Sequence, residues 1–454
     1  MTRRSGLFPR VVSLVVLALL GAACGSSDTS APGAEPAASR VVDDQPNGEA
    51  SDDEATVTTS TLPAELTASF RGVTPEAIKV GITAVDWDTL AAIGVDFGRT
   101  NSLDLWEAAL EDINTRGGIH GRMLEIHGTE FLPVGDTSFD EACVELTQDE
   151  EVFVVVGQAL EDQVLCLIEL ESTAAVVVAG MADPILERSN APYATLWAAF
   201  EDQAANLVSL VQSQGVLDGA TIGVVGSVDV GVIEYQTIVG AFRMAGYEVV
   251  EGLVGDNDSD LAETARDQAI VYERMKEAGV DFTVSTTGVP LEIFNAQSEG
   301  YQTDQWLLTV VMTPSGLIGA GVDLAYLDGA LAIVNTPIGT AAQPTMGEDP
   351  AVAACVERLD AGSDHELFFE LDVETNDLAS GLYACAIADI LEAALLGAGP
   401  DLTNESFGAA LDSIGDIDLA GYFGASLTED GLGAAKELRL ARFNAAAAAW
   451  ELVD

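Results

Sequence analysis

Short apolar segments alternate with helical patterns along most of this chain, in two consecutive series. The strand-like segments of the first series are 78–82, 122–127, 152–156 and 175–179, and those of the second are 221–225, 247–253, 281–286, 306–311 and 330–335. The segment from Val152 to Val156 is apolar at every position, which is typical of a strand that is covered on both faces. Strands that alternate with helices predict parallel sheets with helices on both faces. Because roughly 380 ordered residues exceed one ordinary core, we expect two such lobes.

Between these strands, apolar residues recur at the spacing of amphipathic helices. From Ser102 to Thr115 the apolar residues recur at intervals of three and four, and Gly117-Gly118 ends this helix. Further helices are predicted at 162–171, 199–214, 233–245, 261–278 and 378–396. The segments 437–443 and 448–453 predict a final pair of antiparallel strands.

Residues 1–23 have the parts of a secretory signal peptide. Three arginines precede an apolar run that ends at Leu20, and this run is too short for a membrane-spanning helix, which needs about 20 apolar residues. With Cys24, the segment resembles the lipobox of bacterial lipoproteins, in which the cysteine is acylated and becomes the mature N-terminus. Gly21 stands where that motif usually has Leu. The alternative is an ordinary secretory signal with an incidental cysteine, and both interpretations place the mature protein outside the cytoplasm.

From residue 24 to residue 75 the composition changes to Ser, Thr, Ala, Pro, Gly and acidic residues. Almost no large apolar residue precedes Leu62, so the segment cannot bury enough apolar surface to offset its conformational entropy. Its acidic cluster between Asp43 and Glu54 would extend it by self-repulsion. We therefore predict a disordered acidic linker over residues 24–75, between a lipid anchor and a folded body.

The chain is strongly acidic, with 18 Lys and Arg against 74 Asp and Glu and a formal net charge of −56. Such a surface repels phosphate backbones and the sequence contains no basic patch, so no nucleic-acid partner is expected. A solvated acidic surface suited to saline surroundings explains the charge, and specific cation binding is the alternative.

Four cysteines follow Cys24 in the sequence. Cys143, Cys166, Cys355 and Cys385 are an even number in an oxidising compartment, which predicts structural disulfides. Three connectivities are open, and pairing of sequence neighbours closes short loops. A zinc site is disfavoured because the sequence has no CxxC pair and its three histidines are scattered.

A glycine-containing signature follows the first strand. The segments Ile78–Ile82, Ala108–Asn114 and Gly117–Gly121 read IKVGI, AALEDIN and GGIHG. They resemble the branched-chain amino-acid-binding proteins, which are solute receptors of ABC importers with the type I periplasmic-binding fold. Physically, the signature is a helix end, a left-handed glycine cap and a tight entry into the second strand. The segments 154–157, 221–225, 424–431 and the final strand pair extend the resemblance along most of the folded chain.

The resemblance implies an α/β architecture of two doubly wound parallel-sheet lobes joined by a three-strand hinge. Lobe 1 would comprise residues 76–196 plus 327–435, and lobe 2 residues 197–326 plus 436–454. The ligand would lie in the cleft at the carboxyl ends of the parallel strands, and a hinge motion would close the lobes around it. The resemblance also implies the pairing of Cys143 with Cys166, since some members have a similar first-lobe disulfide.

The loops that would line this cleft depart from the pattern of amino-acid receptors. Those members hold the ligand carboxylate with a Ser/Thr cluster after the third strand and the ammonium group with an acid and a tyrosine of lobe 2. Here the loop after Gly157 lacks the hydroxyl cluster and the segment 309–316 lacks an acid, so a standard α-amino acid is not implied. The remaining cleft residues suit a partly apolar organic ligand, with loop packing or solvation as the alternative role. The predicted ligand-binding residues are Trp87, Phe97, Gln158, Met181, Asp229, Thr287 and Thr313.

No metal, cofactor or catalytic centre is predicted. Asp256, Asp258 and Asp260 alternate as in a calcium loop, but Leu261 and Asp267 stand where that loop needs Gly and Glu, so capping of the next helix is preferred. The sequence has no serine-hydrolase elbow, zinc-protease motif, P-loop or dinucleotide-binding glycine motif, so we do not expect an enzyme.

These features together predict a monomeric, lipid-anchored receptor on the outer face of the cell membrane. It would bind an amino acid, an amide or a related small organic solute and deliver it to an ABC permease. The alternatives are a sensor of the same fold without transport and a structural envelope lipoprotein that has lost its ligand.

Overall fold

A computed structural model describes residues 66–92, 99–133, 137–159, 161–179, 183–228, 231–255, 261–371, 376–428 and 433–453. They belong to one compact unit of residues 62–454. The predicted signal peptide, the predicted lipidation site Cys24 and most of the predicted linker lie outside the described residues.

The described chain alternates strands and helices as the sequence predicts. The strands are β1 (Ala77–Val85), β2 (Met123–Phe131), β3 (Val154–Gln158), β4 (Ala174–Val178), β5 (Tyr193–Trp197), β6 (Ile222–Ser227), β7 (Val249–Val254), β8 (Phe282–Ser285), β9 (Gln305–Leu308), β10 (Leu331–Val334), β11 (Gly415–Ile417), β12 (Ala425–Leu427), β13 (Gly433–Ala435), β14 (Arg439–Asn444) and β15 (Ala449–Leu452). The α-helices are α1 (Trp87–Ala92), α2 (Leu103–Thr115), α3 (Thr137–Val144), α4 (Asp183–Leu186), α5 (Phe200–Ser213), α6 (Val232–Met244), α7 (Leu261–Ala278), α8 (Pro290–Ser298), α9 (Pro314–Gly319), α10 (Pro350–Asp360), α11 (Leu378–Ala398) and α12 (Asn404–Asp412). Short 3₁₀ or π turns occupy Glu145–Asp149, Glu161–Val164, Cys166–Leu170, Leu324–Leu327 and Gln343–Glu348.

Two separate sheets organise these elements. The first has the order β13-β5-β4-β3-β1-β2 and is parallel throughout. The second has the order β15-β14-β10-β9-β8-β6-β7, in which β14 is antiparallel to both of its neighbours. Helices cover both faces of each sheet and bury four apolar clusters, two per sheet. We call each sheet with its helices a lobe, and the predicted class of two parallel-sheet lobes is confirmed.

The chain crosses between the sheets three times, after β5, β10 and β13. Three crossings agree with the hinge that the family resemblance implies. The predicted lobe boundary at residue 327 is wrong, because Leu331–Val334 pairs with β9 and β14 in the second sheet. The composition of a short apolar strand does not show which sheet the strand joins. The chain returns to the first lobe after Val334.

The glycine signature closes the connection between α2 and β2. The Asn114 side chain donates to the Leu124 carbonyl oxygen at 3.0 Å and accepts from the Leu124 amide at 2.6 Å, which ties the helix end to the strand. Gly118 has a φ of +69°, and a Cβ atom there would lie 2.0 Å from the Arg122 carbonyl oxygen. Glycine is therefore required by both conformation and space.

Arg122 fixes the segment that precedes β1. Its side chain is buried and donates to three carbonyl oxygens, those of Thr74 at 2.7 Å, Pro400 at 2.8 Å and Thr67 at 3.0 Å. Residues 66–74 are thereby held at the amino edge of the first sheet. The carboxyl ends of the parallel strands lie at the opposite edge.

Both disulfides join cysteines that follow one another in the order of cysteines along the chain, and both lie in the first lobe. Cys143 of α3 bonds to Cys166, and Cys355 of α10 bonds to Cys385 of α11. Among the described residues, α11 alone is long and apolar enough to cross a membrane, but 61% of its most apolar window is buried. Because it packs against β3, β4 and β5, it is the central core helix of this lobe.

Candidate functional site

The carboxyl edges of the two sheets face each other. The second-lobe helix α6 begins shortly after β6, and Ile233 in its first turn packs against the first-lobe cluster that includes Val85, Leu90 and Phe131. Loops from both lobes therefore converge at this place, which we call the interlobe cleft. Parallel α/β sheets bind ligands at this edge because loops diverge there from neighbouring strands.

Gln158 connects the ends of β1 and β3 on the first-lobe side. Its Oε1 accepts a hydrogen bond from the Val85 amide at 3.2 Å, and its carbonyl oxygen accepts one from the Thr83 hydroxyl at 2.7 Å. Gly157 permits the close approach of the strands, since a Cβ atom there would lie 2.1 Å from the Thr83 carbonyl oxygen. The side-chain oxygen of Gln158 is thus used within the lobe.

Trp87 begins α1, two residues beyond the end of β1. Its indole packs against the first-lobe cluster that contains Val85 and Leu90. The Arg99 guanidinium lies over the same ring, 5.2 Å from its centroid. The Asn101 side chain accepts a hydrogen bond from the Asp88 amide at 3.0 Å. This bond links the residue after Trp87 to a residue shortly after Arg99. Sequence reasoning missed Arg99, because a single arginine in an aperiodic loop carries no pattern.

Acidic side chains surround this part of the first-lobe rim. Burial raises the pKa of Glu130, and the charges of Asp86, Asp88 and Asp104 raise it further. Burial and then the charge of Asp104 also raise the pKa of Glu107. The rim therefore combines one aromatic–guanidinium pair with a local excess of carboxylates.

A buried polar group lies below the second-lobe rim. Thr287, a predicted ligand residue, donates to Glu292 Oε2 at 2.6 Å. Glu292 is 1% exposed, and its Oε1 has no hydrogen-bond partner among the described residues. Thr309 Oγ1 is also buried without a partner in the described part of the chain. Burial raises the pKa of Glu292, and the hydroxyl groups of Thr287, Ser285 and Tyr272 act in the opposite direction.

Three valines are exposed on the second-lobe rim. Val228, Val289 and Val310 are 39%, 41% and 51% exposed, and they follow β6, β8 and β9 respectively. Thr313 lies on the same side but caps α9, accepting a hydrogen bond from the Gly316 amide at 3.2 Å. Three loops thus present aliphatic surface, while the nearest predicted hydroxyl groups serve the lobe itself.

The structure brings Trp87 and Gln158 to the first-lobe edge and Thr287 and Thr313 to the second. Phe97, Met181 and Asp229 lie outside the described residues, as do Asp256, Asp258 and Asp260 of the discounted calcium loop. Within the described ranges no group of His, Cys, Asp and Glu is arranged to hold a metal ion.

A surface cavity of about 630 Å³ lies away from these residues. It is lined by the β11–β12 pair and by Lys436 and Glu437, where the chain crosses from the first sheet to the second. The four predicted ligand residues that the structure describes, Trp87, Gln158, Thr287 and Thr313, do not border it.

No protein-family model and no curated protein matches this sequence. Solved structures share its fold. A possible leucine/isoleucine/valine-binding protein from Rhodopirellula baltica SH 1 is 15% identical, with a TM-score of 0.59 over 84% of this chain and 96% of that chain. A fatty acid ABC transporter substrate-binding protein from Thermomonospora curvata is 17% identical, with a TM-score of 0.60 over 86% and 94%.

A solute-binding protein of an ABC transporter from Rhodopseudomonas palustris HaA2, solved with p-hydroxybenzoic acid, is 16% identical, with a TM-score of 0.59 over 84% of this chain and 96% of that chain. At these identities the likeness shows the fold. The type I periplasmic-binding fold expected from the sequence is confirmed.

Proposed function

We propose that this chain is an extracytoplasmic receptor that closes on a small organic solute and delivers it to an ABC importer. The observation that carries the proposal is the pair of facing carboxyl edges, joined by three crossings, in a fold shared along 94% or more of the compared neighbour chains. Three crossings leave the lobes free to rotate about a narrow axis, which is what a closing receptor needs.

We propose that the cleft is lined by Trp87, Gln158 and Thr287. The further proposed contacts are Phe97, Met181, Asp229 and Thr313. Two of the neighbours are named as leucine/isoleucine/valine-binding and fatty acid-binding proteins, and the third was solved with p-hydroxybenzoic acid. These solutes differ in shape, and each has an apolar body. The exposed valines of the second-lobe rim favour a solute of that kind here as well.

We propose that Cys24 carries a lipid anchor and that the acidic linker tethers the receptor to the outer face of the membrane. The segment held by Arg122 supports this arrangement, because the chain joins the first lobe at the edge opposite the cleft. The cleft then stays open to solutes while the other end is tethered.

Thermal shift with a broad solute panel tests the receptor function. The panel contains amino acids, amides, short peptides, aromatic acids and fatty acids, since a cleft ligand raises the melting temperature by mass action. Small-angle scattering of the same samples should show a smaller radius of gyration with the binding solute. A panel without any thermal shift, together with an unchanged radius, contradicts the proposal and favours a structural lipoprotein.

Labelling with a radioactive fatty acid tests the anchor. The wild-type chain should incorporate label and fractionate with membranes, and the Cys24→Ala variant should do neither. Label retained by that variant would rule out acylation at Cys24.

A further inference from the structure

Arg99 stands out among the charged groups of the interlobe cleft. Five described arginines hold carboxylates at 4.0 Å or less: Arg116, Arg188, Arg243, Arg358 and Arg439. Arg99 holds no carboxylate among the described residues, and its recorded contact is the Trp87 ring. Other described arginines without a carboxylate, such as Arg122, Arg274 and Arg442, donate to carbonyl oxygens of their own lobe. Arg99 differs from these three because it lies over an aromatic ring at the carboxyl edge of the first sheet.

The position of the guanidinium over the ring prepares it for an anion. A ring face attracts the guanidinium by cation–π interaction and limits its rotation, and the five N–H donors of the group are more than the ring can engage. A carboxylate can accept two parallel hydrogen bonds from such a fork. Because the guanidinium is already oriented, less conformational entropy is lost on binding.

We propose that Arg99 binds the carboxylate of a monocarboxylic solute whose apolar body lies toward the second-lobe valines. This inference rests on the proposed receptor function and names its substrate class. The acids Asp86, Asp88, Asp104 and Glu130 of the same rim disfavour a second negative charge on the solute, which selects one carboxylate over two. The long-range field of the acidic chain does not prevent entry, since it is screened beyond about 8 Å at physiological salt.

The opposite rim accounts for the rest of the solute. Val228, Val289 and Val310 offer exposed methyl groups from three loops, and the nearest hydroxyls, Thr287 and Thr313, are engaged within the lobe. Burial of such surface favours binding in proportion to the apolar area removed from water. An aliphatic or aromatic body gains from this contact, and a polar body does not.

The test compares carboxylic acids with their neutral amides on the purified full chain. Benzoate with benzamide and hexanoate with hexanamide are titrated by calorimetry, together with the tightest-binding acid of the solute panel and its amide. We expect the acids to bind and to raise the melting temperature, and the amides of the same shape to bind at least tenfold more weakly.

Variants of Arg99 assign the effect to this side chain. Loss of a charged hydrogen-bond donor predicts about 10- to 100-fold weaker acid binding in Arg99→Gln, with a smaller loss in Arg99→Lys. Arg243→Gln is the matched control, because it removes the same charge from the far end of α6. The melting temperature of unliganded Arg99→Gln should lie within about 3 °C of that of the wild type, since the interaction that is lost among the described residues is the cation–π contact with the Trp87 ring.

The outcomes separate this inference from the receptor function. Amides that bind as tightly as acids, or acid binding by Arg99→Gln within twofold of the wild type, would overturn the role of Arg99 and leave the receptor in place. The same holds if every solute that binds lacks a carboxylate. A panel without any binding solute overturns both proposals.

Discussion

At the scale of single residues, Glu292 makes the second lobe sensitive to pH. Burial raises the pKa of this carboxyl group above its ordinary value of 4.5, so the folded chain keeps a proton that the unfolded chain releases. The contribution of Glu292 is therefore fully present below the unfolded pKa and is lost as the pH rises through the folded pKa. We expect Glu292→Gln to be more stable than the wild type at neutral pH, by about 1.4 kcal/mol for each unit that separates the two pKa values.

Urea denaturation at several pH values measures this effect. The advantage of Glu292→Gln should shrink as the pH falls toward 4.5. Glu277→Gln, on the exposed side of the neighbouring helix α7, is the control for the loss of one carboxylate. A pH-independent difference between Glu292→Gln and the wild type would show that the glutamate is not a buried neutral acid.

Two adjacent glycines allow the effect of a left-handed backbone on stability to be measured separately from the effect of a close contact. Gly117 and Gly118 both have positive φ, but only Gly118 has an atom within 4 Å of the position that a Cβ would take. Gly117→Ala should lose about 1 kcal/mol of stability, as expected for alanine in a left-handed conformation. Gly118→Ala must also displace the Arg122 carbonyl and should lose at least about 2 kcal/mol more, measured by urea unfolding. Equal losses would mean that the carbonyl can move away without cost.

At the scale of elements, regular periodicity made the fold predictable. Helix α7 has the predicted bounds, and the strand pair β14–β15 lies within one or two residues of its predicted position. The predicted helix at 162–171 is instead a 3₁₀ turn and a π turn on either side of Leu165. Strand β5 and helices α8, α10 and α12 were not predicted, because elements of 5 to 11 residues offer too few repeats for a period to emerge.

The disulfide between α10 and α11 should add to the stability that apolar packing gives the first lobe. It closes a loop with a sequence separation of 30 residues, for which the chain-entropy argument gives about 3–4 kcal/mol. We expect the double variant Cys355→Ala/Cys385→Ala to lower the melting temperature, measured by calorimetry without reductant. Double substitution avoids an unpaired buried thiol.

The pair Cys143 and Cys166 provides the comparison for this variant. It closes a loop with a sequence separation of 23 residues, so its removal should cost nearly as much. An unchanged melting temperature in the Cys355/Cys385 double variant would mean that core packing around α11 already fixes both helices.

At the scale of the whole molecule, the position of the candidate site was predictable and its chemistry was not. The parallel-sheet pattern predicts ligand binding at the carboxyl edges, since that prediction follows from topology. The partners of individual loop residues follow from tertiary contacts, which a single sequence does not contain. Thr287 and Gln158 were predicted to face the ligand, yet their oxygens are committed to Glu292 and Val85. Arg99 became visible only through its position over Trp87.

The net charge of −56 is the remaining whole-molecule property, and it should make stability depend on salt. Repulsion among surface carboxylates opposes the compact state, and added ions screen it. The Debye length falls from about 30 Å at 0.01 M to about 3 Å at 1 M ionic strength, so the melting temperature should rise by several degrees across this range. NaCl and KCl should act equally, because screening depends on ionic strength. A melting temperature that rises with only one of the two cations would indicate specific cation binding instead, and one that falls with both would contradict the role assigned to the acidic surface.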